Sequence, residues 1–175
     1  MTAKSSTATV YKNSKEQDLI DKVEPVLINL GYLCRDIEVV SGRSAVVRIT
    51  IERDSKEMVS IDDCATVHRT LGPMFDVWDP LPTAYTLEVS SPGEKPRLRN
   101  LSHFREAVGG NLRFQTLEAI DMPEPAKPRK NWEGELLDVQ DSGEIRVKDS
   151  SGVEHTLKLE SIKNATWMRE WTASD

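Results

Sequence analysis

At 175 residues the chain fits one large domain or two small ones. Its 38% hydrophobic content is too high for a disordered chain, and no apolar run approaches the ~18–20 residues of a spanning helix. Lys and Arg number 23 against 29 Asp and Glu, a formal −6 that is the wrong sign for a generic coater of duplex DNA. Two cysteines, Cys34 and Cys64, exclude a disulfide framework or a cysteine-based zinc site. No apolar signal segment stands at the N-terminus, and these features together predict a cytoplasmic protein.

Residues 1–15 are rich in Ser, Thr and Lys with no apolar period, and are expected to form a disordered tail. From Glu16, apolar residues Leu19, Ile20, Val23, Val26, Leu27 and Leu30 recur at spacings of three and four, predicting a helix stopped by Gly31. Pro25 either kinks that helix or sits in its first turn. Ile37 and Val39, then Ala45, Val47, Ile49 and Ile51, alternate with polar neighbours around Ser41-Gly42-Arg43-Ser44, which predicts a β-hairpin. A second helix opens at Ser60-Ile61-Asp62-Asp63, with Ser60 or Asp62 as cap and the carboxylates at the positive end of its dipole. Ile61, Cys64, Val67, Leu71 and Phe75 are its expected buried stripe, and Gly72-Pro73 is expected to break or bend it. Tyr85, Leu87 and Val89 predict a strand ending at Ser90-Ser91-Pro92-Gly93.

After a short helix over 102–108, the pattern changes. Strands are expected around Leu112–Thr116, Trp132–Val139, Ile145–Val147, Val153–Leu159 and Ala165–Met168, with residues 121–130 as a long exposed loop. Short strands with turns every eight to twelve residues indicate a small β-barrel. The expected class is therefore α+β: an αββαβ domain over 16–97, a barrel over 98–170, and tails at 1–15 and 171–175.

Catalytic constellations are missing. His68, His103 and His155 have no second ligand at metal spacing, which predicts no metal and starves Ser90 or Ser91 of a base. Asp62 and Asp63 read as helix-opening carboxylates before they read as an acid–base pair. No phosphate-cradling glycine motif occurs, and no two glycines stand three apart as a KH loop requires. No cofactor and no small-molecule substrate are expected. Basic residues gather at two places: Lys95, Arg97 and Arg99 beside the Pro92-Gly93 turn, and Arg129-Lys130 next to Trp132 at a loop tip. Both suit phosphate contact, with Trp132 divided between base stacking and a core role. Trp167 and Trp171 are further stacking candidates.

Several stretches together resemble the bacterial ribosome maturation factor RimP family. They are Pro25-Val26 with Leu30-Gly31-Tyr32; Ile61-Asp62-Asp63-Cys64; Asp79-Pro80; and Tyr85-Thr86-Leu87-Glu88-Val89-Ser90-Ser91-Pro92-Gly93. Val108-Gly109, Trp132-Glu133-Gly134 and Ile162-Lys163-Asn164-Ala165 add to them, so the resemblance runs from about Glu16 to Met168. Family members commonly follow the Ser-Ser-Pro-Gly turn with Leu-Asp-Arg-Pro-Leu, whereas this chain has Glu94-Lys95-Pro96-Arg97-Leu98, which displaces the arginine by one position. The resemblance implies an SH3- or Sm-like barrel and a non-catalytic factor that binds the free small ribosomal subunit, rRNA and ribosomal protein included, during late maturation. A monomer with no membrane partner is expected. The alternatives are a general RNA-binding regulator, against which the −6 charge stands, and an enzyme with an unrecognised site.

Overall fold

Ser60 caps the second helix because its hydroxyl accepts from the Asp63 amide at 3.2 Å while the Asp63 carboxylate takes the Ser60 amide at 2.7 Å. This reciprocal box satisfies two amides that the first turn otherwise leaves unpaired. It belongs to the first of two compact units in the computed structural model, which describes residues 9–10, 13–122 and 126–169. One unit spans Asn13–Gly93, and the other runs from Glu94 onward together with Thr9 and Val10.

The first unit runs α1 (Ser14–Asn29), β1 (Tyr32–Val40), β2 (Ala45–Arg53), α2 (Ile61–Trp78) and β3 (Tyr85–Ser90). Asn13 caps α1, whose Leu19, Val23 and Leu27 are buried. Pro25 lies well inside α1, not in its first turn, and the helix continues through it to Asn29. Burial of one face at four-residue spacing outweighs the hydrogen bond that proline removes. Gly31 takes φ +85°, the left-handed turn that closes a helix. β1 and β2 pair antiparallel, β3 pairs parallel to β2, and the sheet order is β1-β2-β3. Ile37, Val47, Ile49 and Ile51 join Val67, Leu71 and Phe75 in the core.

Two expectations for α2 are corrected. Ile61 is 88% exposed, because the buried ridge runs Asp63-Val67-Leu71-Phe75 and Ile61 lies about 120° around the helix from Val67. Of the break or bend expected at Gly72-Pro73, the break does not occur: α2 runs through to Trp78 and is capped by Asp79 in the left-handed region. Gly72 has no Cβ for the proline ring to crowd, and Leu71 and Phe75 anchor the turns on either side.

The second unit holds α3 (Leu101–Glu106), β4 (Asn111–Ile120), β5 (Arg129–Val139), β6 (Glu144–Asp149), β7 (Glu154–Lys158) and β8 (Ile162–Met168), with a 3-10 turn at Leu159–Ser161. The strands form one antiparallel sheet in the order β7-β6-β5-β4-β8. Of the expected small barrel the ladder gives an open five-stranded sheet: β7 and β8 are edges, joined by the 3-10 turn instead of paired. Leu112, Phe114, Trp132, Leu136, Ile145 and Val147 supply the alternating buried face. That alternation is the same for a curled open sheet and a closed one, so periodicity alone cannot distinguish them. Gly134 leaves no room for a side chain between β5 and β6, since a Cβ there would stand 2.3 Å from the Lys148 carbonyl oxygen.

The expected tail also differs at its described residues. Val10 is 1% exposed, its amide donates to the Arg99 carbonyl, and Thr9 bridges Asn100. The rest of 1–12 and the tail at 171–175, with Trp171, lie outside the described residues. No described helix is long and apolar enough to cross a membrane.

Candidate nucleic-acid interface

Charge divides unevenly between the units. Residues 13–93 carry eight Lys and Arg against 14 Asp and Glu, while the remainder carries 15 of each. The whole −6 therefore belongs to the first unit, and phosphate contact is electrostatically cheaper on the second.

Lys95, Arg97 and Arg99 lie on an extended segment built into the second unit. The Leu98 amide donates to Ala165 O at 2.9 Å, the Trp167 amide donates to Pro96 O at 3.0 Å, and Arg97 bridges Thr166 across from β8. This pairing sorts the three cations. Lys95 is exposed, Arg97 is half-buried and Arg99 is buried at 5% exposure. Arg99 is therefore not the surface cation that the sequence suggested. Reversing it would put a carboxylate into the interior, so its effect on binding could not be separated from unfolding.

The same pairing sets Thr166 opposite Arg97 and Trp167 opposite Pro96. Trp167 is half-buried next to Pro96, and the exposed Arg169 guanidinium stands 4.4 Å over its ring. Lys95, Arg97, Trp167 and Arg169 thus gather at one end of β8, with Arg169 the cation over the Trp167 ring and Arg97 opposite Thr166, so stacking and phosphate contact are offered at neighbouring positions. Arg169 escaped the sequence reading, because only the pairing of 96–98 with β8 brings it near Lys95.

The second basic group is differently employed. Arg129 and Lys130 open β5 and are not on a loop tip. Trp132 is 2% exposed, stacks on Phe114 at 5.9 Å between centroids, and carries the Arg129 guanidinium 3.9 Å from its ring. It is a core residue with its faces occupied and offers no platform for a base. Arg129 also pairs with the buried Asp149 at 2.6 Å, and Lys130 donates to Leu117 O at 3.0 Å. Asp149 further accepts from His155 Nε2 at 3.0 Å and from the amides of Ser151 and Val153. Burial opposes ionisation of Asp149, but these four donors outweigh it and hold the carboxyl well below the usual carboxylate range.

Asp62 and Asp63 divide in the same way. Asp62 is exposed, whereas buried Asp63 accepts from Tyr32 Oη at 2.6 Å, from Arg53 at 3.0 Å and from Ser60. These donors, the Tyr32 hydroxyl first, hold the Asp63 carboxyl well below its ordinary value. Asp63 fastens the start of α2 to the ends of β1 and β2, a structural task that leaves no free lone pair for acid–base work. A depressed native value gives stability that is present above the unfolded carboxyl range and lost as pH falls through it, ~4 and below. The melting-temperature difference between wild type and Asp63→Asn is therefore expected to narrow between pH 6 and pH 3. A difference that stays constant across that range would contradict the role given to Asp63.

Ser90 ends β3, and Ser91-Pro92-Gly93 turns the chain with Gly93 at φ +67° where the two units meet in sequence. Ser90 and Ser91 have no histidine partner among the described hydrogen bonds. Cys64 is half-buried, and burial pushes its thiol up, away from reactivity. Among the described residues no cluster of His, Cys, Asp and Glu is arranged to hold a metal ion.

Residues 22–95 match the family model of the RimP N-terminal domain, a stretch that takes in the second half of α1, both capping-box residues, the Ser90–Gly93 turn and Lys95. That match supports the RimP family of ribosome maturation factors for this chain.

Proposed function

We propose that this chain binds the free small ribosomal subunit and assists its late maturation without chemistry of its own. The observation that carries the reading is that the Lys95–Arg97 segment pairs with β8, whose end carries Trp167 under Arg169, on the unit with balanced charge. The cluster supplies phosphate and base contacts, while the acidic unit resists indiscriminate coating of RNA. Such a factor works by differential affinity: binding the nearly mature conformation more tightly raises its population. On this reading the protein acts as a cytoplasmic monomer. The two domains meet in sequence between the Gly93–Glu94 split and the expected boundary at 97/98, and the five-stranded sheet with its Leu159–Ser161 turn curls into an SH3- or Sm-like barrel.

Purified protein sedimented with free small subunits, free large subunits and whole ribosomes tests the reading. Association is expected with the free small subunit alone. Equal pelleting with both subunits contradicts it, and equal affinity for naked rRNA and for assembled subunits favours a general RNA-binding regulator.

A further inference from the structure

The first unit has an open sheet edge next to a groove. β3 is the end strand of the order β1-β2-β3, and its ladder partner is β2 alone. The Leu87 carbonyl points away from that ladder, since it meets His68 Nε2 of α2 at 3.2 Å. Backbone direction alternates along a strand, so the polar groups of Tyr85 and Val89 share the outward side with Leu87. Among the described residues, the His68 imidazole is the group that bonds to this outward backbone. An exposed row of this kind is a template for one more strand.

Between this edge and α2 lies a groove of about 640 Å³. Phe75, Leu81, Tyr85 and Leu87 give it an apolar floor, and Gly72 puts no side chain over it. Asp76 and Asp79, both exposed, stand at its rim, and no Lys or Arg lines it. Their charge reaches inside: the Tyr85 phenol is pushed up by burial first and then by these two carboxylates. A strand edge beside a helix, with pockets for alternate side chains, is the arrangement by which folded domains take up extended peptides.

We propose that the groove between α2 and β3 binds an extended basic segment of another polypeptide, which adds to the free edge of β3. Backbone pairing with Tyr85, Leu87 and Val89 supplies register, and apolar side chains at alternate positions meet the floor. Lys or Arg on the same groove-facing side, at the ends of the apolar positions, meets Asp76 and Asp79 at the rim. The imidazole of His68 gives up its single bond to Leu87 when the incoming strand replaces it. RNA is disfavoured here, because its phosphates would face the same two carboxylates. This site is separate from the Lys95–Arg169 cluster and does not depend on the reading given to it.

The test uses the full chain, isotope-labelled, and a capped seven-residue Lys–Val peptide, Lys-Thr-Val-Thr-Val-Thr-Lys, whose odd positions face the groove together. Titration is expected to shift the amides of Tyr85, Leu87 and Val89 and to slow hydrogen exchange at Leu87. A peptide with Glu in place of Lys should not bind, and one N-methylated at alternate residues should lose at least tenfold in affinity. Asp76→Lys, on an exposed last turn where a cation suits the helix dipole, should weaken the Lys–Val peptide at least tenfold. Equal affinity of the N-methylated peptide, unchanged affinity in Asp76→Lys, or shifts confined to residues outside α2 and β3 would each overturn the proposal.

Discussion

Replacing Asp149 with alanine is expected to lower the stability of the second unit by about 3–5 kcal/mol, the range for removing one partner of a buried ion pair. The Asp149 side chain is 2% exposed and takes donors from Arg129, His155, Ser151 and Val153. Without it, two amides in the turn from β6 to β7 lose their acceptor, and the Arg129 guanidinium keeps only the Trp132 ring. The ring contact alone is worth about 0.5–2 kcal/mol, too little to offset the loss. For a unit of this size the melting temperature should fall by more than about 10 °C. Asp149→Asn retains the shape and one acceptor oxygen, and is expected to lose less. Arg129→Ala leaves Asp149 with His155 and the two amides, and should also cost less than Asp149→Ala. Thermal and urea unfolding of the three variants measure the order. A loss within ~1 kcal/mol for Asp149→Ala would mean that this cluster does not hold the sheet together.

How far the sequence alone could reach depends on the range of the interaction. Local signals were legible: the Ser60 cap, the hairpin turn at 41–44, the Gly31 stop and the strand ending at Ser90 each rest on neighbours within a few residues. Ile61 was misplaced because an apolar residue in the first turn fits the composition of a stripe without lying on its ridge. The larger departures concern pairing between distant segments. Arg99 reads as a surface cation until Leu98 is seen bonded to Ala165 and Val10 to the Arg99 carbonyl. Trp132 reads as core before platform, and Phe114 and Arg129 on its ring settle the choice for core. Closure of the sheet is likewise a matter of which edges meet, and no alternation within one strand encodes it.

The binding cluster follows the same rule. Lys95 and Arg97 were legible as a basic group beside a stiff turn, while Trp167 and Arg169 join them only through the pairing of Arg97 with Thr166. Charge reversal therefore belongs at Lys95 and Arg169, which are both exposed, and not at the buried Arg99. Exposed charges contribute ~0–1 kcal/mol to stability, so Lys95→Glu combined with Arg169→Glu should melt close to wild type. Every phosphate that a cation no longer neutralises lowers the slope of log K against log salt by roughly 0.7–0.9, so removing both cations should lower it by about 1.4–1.8.

The affinity of wild type and of this double variant for free small subunits, measured across a range of salt concentrations, tests the central claim most directly. The expected result is weaker binding at low salt, a shallower slope and an unchanged melting temperature. A folded double variant with wild-type affinity and slope would contradict the placement of the ribosomal contact at this end of β8.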